Sequence, residues 1–355
     1  MPGGAQGFLL ELLVGDEEIG ALFTGEAELA AFLRFEATLA QTQAHLGLIA
    51  PEAAQAIVAA CNRFQPDWPA LQAGMVKDGV IGPSLVVAVR REVGGEHGAF
   101  LHFGATSQDL VDTALMLRLK TITAILDQRL AGFIADLEDL RRDQGDVPQM
   151  AHTRMQAALP FTAGDRLDAW LQPLRRHRTR LAQLVPRLLV VQLGGPIGVG
   201  VVPGAAGDSL IEELARRLDL GPAAAWHSAR DTVVEFGSFL SLLTGSLGKI
   251  GQDVALLAQS EVGAVVLAAG GASSAMAHKS NPVGAEVLVA LARFAAGLAG
   301  TLHQALIHEN ERSGAAWTLE WLTLPQLAVT AGAALRHARS LCAGLEFRPY
   351  SSPLP

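Results

Sequence analysis

The chain of 355 residues is half hydrophobic, only 5% aromatic, and carries a net charge of −8 at pH 7. That length holds one large domain or two to three small ones, and a composition led by Ala, Leu, Gly and Val favours packed helices over a β-sandwich. The negative balance, without any basic stretch, excludes nucleic acid as a general partner, so an anionic ligand has to be held by a local cluster of donors.

Gln259, Glu261, Glu286 and Arg293 interrupt the two best apolar windows, which predicts buried helices and no membrane span. Cys61 and Cys342 show neither metal nor disulfide spacing. The start, MPGGAQGFLLELLVGDEE, lacks the basic n-region and cleavage site of a signal peptide, so a cytoplasmic protein is expected.

In chain order, residues 25–48 place Leu29, Phe32, Leu33, Leu39 and Leu46 at helical spacing. Shorter helical patterns follow at 51–63 and 83–93, each opening at a proline. FLHFGATSQD breaks the pattern, and a long helix is predicted from about 108 to 144. MAHTRMQAALP interrupts again, and a further long helix is expected from Pro160, which suits a first turn, to about 190. LGGPIGVGVVPGAAGD reads as a glycine-rich connector with neither a phosphate-loop nor a dinucleotide-binding pattern. A short helix is expected at 208–219, then long ones at 230–262, 283–311 and 318–343, the last bent or restarted at Pro325. Short elements feeding five long helices predict a small helical domain joined to an elongated bundle.

Three polar segments break the long helices: GATSQD (104–109), AHTRMQAALP (151–160) and GGASSAMAHKSNP (270–282). Hydroxyl, amide and cationic groups dominate them, the groups that grip carboxylates. The third places Lys279 between a histidine and a serine in a chain with only three other lysines. Plainer roles stay open at this level. Thr106 and Ser107 can simply cap the next helix, Gln156 can satisfy loop backbone, Arg154 can be a surface arginine, and His102 can pack at the loop's entry.

These segments resemble the three signature regions of the fumarase/aspartase superfamily, the third standing here as ASSAMAHKSNP. HENERSGAAWTLEWLTLP (308–325) and ELAAFLRFEATLAQTQAHLGLI look like the branch that lactonises 3-carboxy-cis,cis-muconate. The resemblance spans roughly residues 8–345. It implies an all-α fold, an elongated long-helix bundle of the fumarase/aspartase type with a small N-terminal helical domain. The expected division is 1–106, 107–345 and a tail over 346–355, with a C-terminal domain absent.

By the same resemblance, Ser273 is the proton-transferring serine, and Lys279 and Asn281 stabilise an aci-carboxylate. Thr106, Ser107, Arg154, Gln156, Ser274 and Arg312 hold the substrate's carboxylates. No metal or organic cofactor is implied, and neither nucleic acid nor membrane is a partner. The partners are a small tricarboxylate and three further copies in a homotetramer with shared sites. The sequence departs from the superfamily pattern at Arg154, where the lyases carry histidine, and at Ala277, where proline is usual. His278 is left open between backbone support and function. Adenylosuccinate lyase and a catalytically silent scaffold of the same fold are the competing readings.

Overall fold

The computed structural model describes residues 5–200, 204–268, 270–272, 274–276 and 280–350. Its helices are α1 (Ala5–Val14), α2 (Glu17–Ala21), α3 (Gly25–His45), α4 (Pro51–Arg63), α5 (Trp68–Asp78) and α6 (Gly82–Val93). They continue as α7 (Ser107–Gln144), α8 (Ala163–Leu188), α9 (Ala205–Leu218), α10 (Asp231–Leu257), α11 (Val283–Gln304) and α12 (Ala315–Ala343). Among the described residues, three two-stranded antiparallel pairs accompany them: β1 (Pro148–Thr153) with β2 (Gln156–Thr162), β3 (Val265–Leu267) with β6 (Leu345–Phe347), and β4 (Gly271–Ala272) with β5 (Ser280–Asn281).

The frame is α7, whose 38 residues give a length of about 57 Å at 1.5 Å per residue. Against it pack α3, α8 and α12, with α10 set on α8 and α12 and α11 laid on α10 and α12. One core runs through this bundle, from Leu126, Phe133 and Trp170 to Leu240, Leu288 and Leu335. A second core gathers Phe32, Phe35, Ile57 and Leu85 from the N-terminal helices, together with Leu210 and Leu214 of α9 and Trp317 of α12. Gly251 shows why α10 and α11 approach closely. A Cβ there would stand 2.7 Å from the Ala285 carbonyl oxygen, well inside contact distance.

Three expectations change. The segment 148–162 is a β-hairpin, so Pro160 lies in a strand; the helix begins after Thr162, whose hydroxyl and backbone exchange hydrogen bonds with Asp165 in a capping box. Pro325 lies inside an uninterrupted α12. Helix α5, opened by the Asp67 cap, and helices α1 and α2 have no counterpart in the sequence reading. By length and composition α10 and α11 could each cross a membrane; the most apolar window of α10 is 61% buried inside the bundle and that of α11 33%.

Candidate active site

The first signature segment lies where α7 begins. Thr106 is the N-cap, with extended backbone, and its N–H donates to the Asp109 carboxylate at 2.9 Å. The capping role is therefore real, and it leaves both Thr106 and Ser107 half-buried. Ser107 presses on the first residue of α6, where any side chain larger than that of Gly82 would overlap its hydroxyl. His102, with a positive φ of 62°, places Nδ1 2.5 Å from Glu36 Oε1. Burial opposes its charge, but the Glu36 carboxylate outweighs this and raises the imidazole above the ordinary histidine range. His102 is therefore held at the loop's entry by its pairing with Glu36.

Beneath this loop lies a buried charged network that sequence reasoning missed. Asp109 accepts from the N–H groups of Gly194 and Gly195 at 2.8 and 2.9 Å and faces His227 Nε2 at 2.8 Å. One turn on, Asp112 accepts from Arg230 Nη1 and Nη2, at 2.7 and 3.1 Å, and from Trp317 Nε1 at 3.0 Å. Arg230 also clamps Glu320 at 2.8 and 2.5 Å and lies over the Trp226 ring. Burial opposes the Glu320 charge, yet Arg230 and then His308 hold it below the usual carboxylate range. The available signal was the i, i+3 spacing of Asp109 and Asp112, two carboxylates on one face of the mostly apolar first turns of α7. Arg312 is exposed and donates from Nη2 to the Pro196 carbonyl at 2.9 Å, so it belongs to this end.

The second segment occupies the opposite end of α7. Thr153 pairs with Gln156 across a two-residue turn, and both turn residues, Arg154 and Met155, have positive φ (48° and 67°). That is the type I′ geometry matching strand twist, here without the usual Asn-Gly. Arg154 and Gln156 are exposed at the hairpin tip.

The base of the third segment lies at this same end. Strand β3 pairs with β6, which α7 reaches through Gln144 donating to the Leu345 carbonyl at 3.2 Å. Asn281 is half-buried and pairs with Gly271 in the small hairpin, and Ser274 is exposed. Ser273, Ala277, His278 and Lys279 lie outside the described residues.

One chain therefore brings Thr106, Ser107 and Arg312 to one end, and Arg154, Gln156, Ser274 and Asn281 to the other. With α7 about 57 Å long, the two groups cannot meet around one small molecule within a single chain.

A family model described as lyase matches residues 17–297. The chain is 41% identical over 333 residues to the 3-carboxy-cis,cis-muconate cycloisomerase of Pseudomonas aeruginosa, covering 92% of this chain and 72% of that one. It is 33% identical over 344 residues to trans-aconitate decarboxylase 1 of Mycosarcoma maydis, covering 95% and 69%. The crystal structure of the 3-carboxy-cis,cis-muconate lactonizing enzyme from Pseudomonas putida matches with a TM-score of 0.88 at 38% identity, covering 96% of this chain and 77% of that one.

Proposed function

The chain belongs to the lyase family within the fumarase/aspartase superfamily, and from that premise we propose that it is a cycloisomerase interconverting 3-carboxy-cis,cis-muconate and 4-carboxymuconolactone. The observation that carries this reading is the 41% identity, over 92% of the chain, to an enzyme of that name.

In the lactone-opening direction a base removes the proton beside a carboxylate, and the ring carboxylate leaves from the neighbouring carbon. The intermediate is an aci-carboxylate with two negative charges on one group, which calls for fixed positive charge and donors. We assign the proton transfer to Ser273 and the charge stabilisation to Lys279 and Asn281, with Ser274 as a supporting hydroxyl. A free serine is a poor base, so its anion needs the same cation and loop donors. The leaving group is a carboxylate, stable as an anion at neutral pH. It requires orientation more than protonation, which suits an arginine at 154. Thr106, Ser107, Gln156 and Arg312 take the remaining carboxylates.

Because the two groups of residues stand at opposite ends of α7, the proposal includes assembly: a homotetramer in which each site combines ends from different copies. Exposed apolar side chains on the bundle, Leu242, Phe294 and Leu322 among them, support burial against further copies. A cytoplasmic location and the division at 106/107 and 345/346 belong to the same proposal. The second core, centred on α3–α6, supports that division, although it also takes side chains from the start of α7, from α9 and from Trp317 of α12.

The test is purified protein with 3-carboxy-cis,cis-muconate, following loss of diene absorbance. No loss, or faster turnover of adenylosuccinate or trans-aconitate, would overturn the reading.

A further inference from the structure

Asp109 is fully buried, and four donors close on its two oxygens. Oδ1 accepts from the Gly194 N–H and faces His227 Nε2, both at 2.8 Å, and Oδ2 accepts from the N–H groups of Thr106 and Gly195 at 2.9 Å. A carboxylate offers about four acceptor positions, so all are taken and His227 Nε2 is the nitrogen that carries the proton. Capping α7 needs only one of these bonds, the one from Thr106. The other three reach the glycine connector and the stretch before α10, two segments distant in sequence. The connector is in turn held by Arg312 at the Pro196 carbonyl. One carboxylate thus ties the Thr106–Ser107 loop to the turn on which Arg312 rests.

We propose that Asp109 is a positioning residue for substrate binding. It fixes the spacing between the Thr106 and Ser107 hydroxyls and the Arg312 guanidinium, and with it the spacing of substrate carboxylates this end accepts. The inference deepens the cycloisomerase reading and takes its substrate from it.

Asp109→Asn keeps the shape but turns one oxygen into a donor, so two of the four incoming donors face an amide NH₂. KM for 3-carboxy-cis,cis-muconate rises about tenfold or more, the effect of losing one charge-assisted hydrogen bond, while kcat stays within about threefold. A merely structural role would instead reduce the active fraction and leave KM alone. The partner supplies a second pair of variants. His227→Gln retains a donor at similar reach and keeps KM within about threefold of wild type, whereas His227→Leu raises it as Asp109→Asn does. Calorimetric titration with tricarballylate, a saturated tricarboxylate, reads the same loss of affinity without turnover.

Unchanged KM in Asp109→Asn overturns the proposal, as does a loss confined to kcat or a His227→Gln as weak as His227→Leu. If the wild type binds tricarballylate but leaves the muconate unchanged, the cycloisomerase reading fails and the tricarballylate series alone decides the role of Asp109. A wild type that does neither overturns both.

Discussion

Arg230→Met strands two carboxylates inside the bundle. Arg230 is 1% exposed, Asp112 is fully buried and Glu320 is 1% exposed, so water cannot replace the lost guanidinium. Asp112 keeps two donors, Trp317 Nε1 at 3.0 Å and Gln108 Nε2 at 3.2 Å. Glu320 loses both of its guanidinium bonds and is left with His308 Nε2 at 3.6 Å. Removing one partner of a buried ion pair costs about 3–5 kcal/mol, and the donors that Asp112 retains place the cost toward the lower half of that range. Arg230→Lys keeps the charge but loses the planar fork that serves two carboxylates at once, so it should fall between wild type and Met.

The assay is urea unfolding at fixed protein concentration, because assembly shifts apparent stability. The pH dependence fixes the sign. Glu320 is held below its ordinary range in the folded protein. Its contribution is therefore present above the unfolded-chain value and is lost as pH falls through the folded one. Arg230→Met lacks that contribution already at neutral pH, so the gap between wild type and variant narrows on acidification. A gap below about 1 kcal/mol at pH 7, or one that widens in acid, would refute the reasoning.

Ser273→Ala should lower turnover at least about a hundredfold, the low end for general acid–base catalysis, with the assembly intact by sedimentation; near-normal turnover moves the proton transfer elsewhere. Lys279→Met should act mainly on kcat, because the charge it offsets is greatest in the transition state, and an effect on KM alone would make it an ordinary binding residue. Arg154→His should weaken muconate binding and Arg154→Lys retain part of the activity, measured as kcat/KM; a histidine variant equal to wild type contradicts the orientation role. Burial, with Arg180 and Arg176 nearby, pushes the His177 imidazole down to about 4. The unfolded chain therefore takes up a proton below about pH 6.5 that the folded chain refuses. Stability should fall between pH 7 and 5 more steeply for wild type than for His177→Gln, and equal slopes would rule this out.

Local signals carried the helical elements. Residues 51–63 and 83–93 were legible from proline at the first turn and apolar spacing, and they form α4 and α6 almost residue for residue. The hairpin was hidden because its turn is Arg154-Met155, which lacks the glycine that normally betrays positive φ, and because Pro160 imitates a helix start. The true start was written in Thr162 and Asp165, three residues apart. At the site, the signature residues were legible as polar interruptions. The long-range partners of Asp109, Asp112 and Arg230 were not, since they lie 85 to 205 residues away and one sequence carries no record of pairing across such separations. Nor does polar composition reveal that Thr106 and Arg154 stand at opposite ends of one helix.

The length of α7 also has a genetic consequence. If every site draws its two halves from different copies, a defect at Arg154 and a defect at Thr106 are complementary alleles. Chains carrying one or the other are inactive in pure assemblies, yet random mixing lets about a quarter of the sites pair an intact hairpin end with an intact α7 start, as symmetric association allows. Selection on this gene then acts on the assembled population of chains, and two broken copies in one cell can sustain the pathway that neither supports alone.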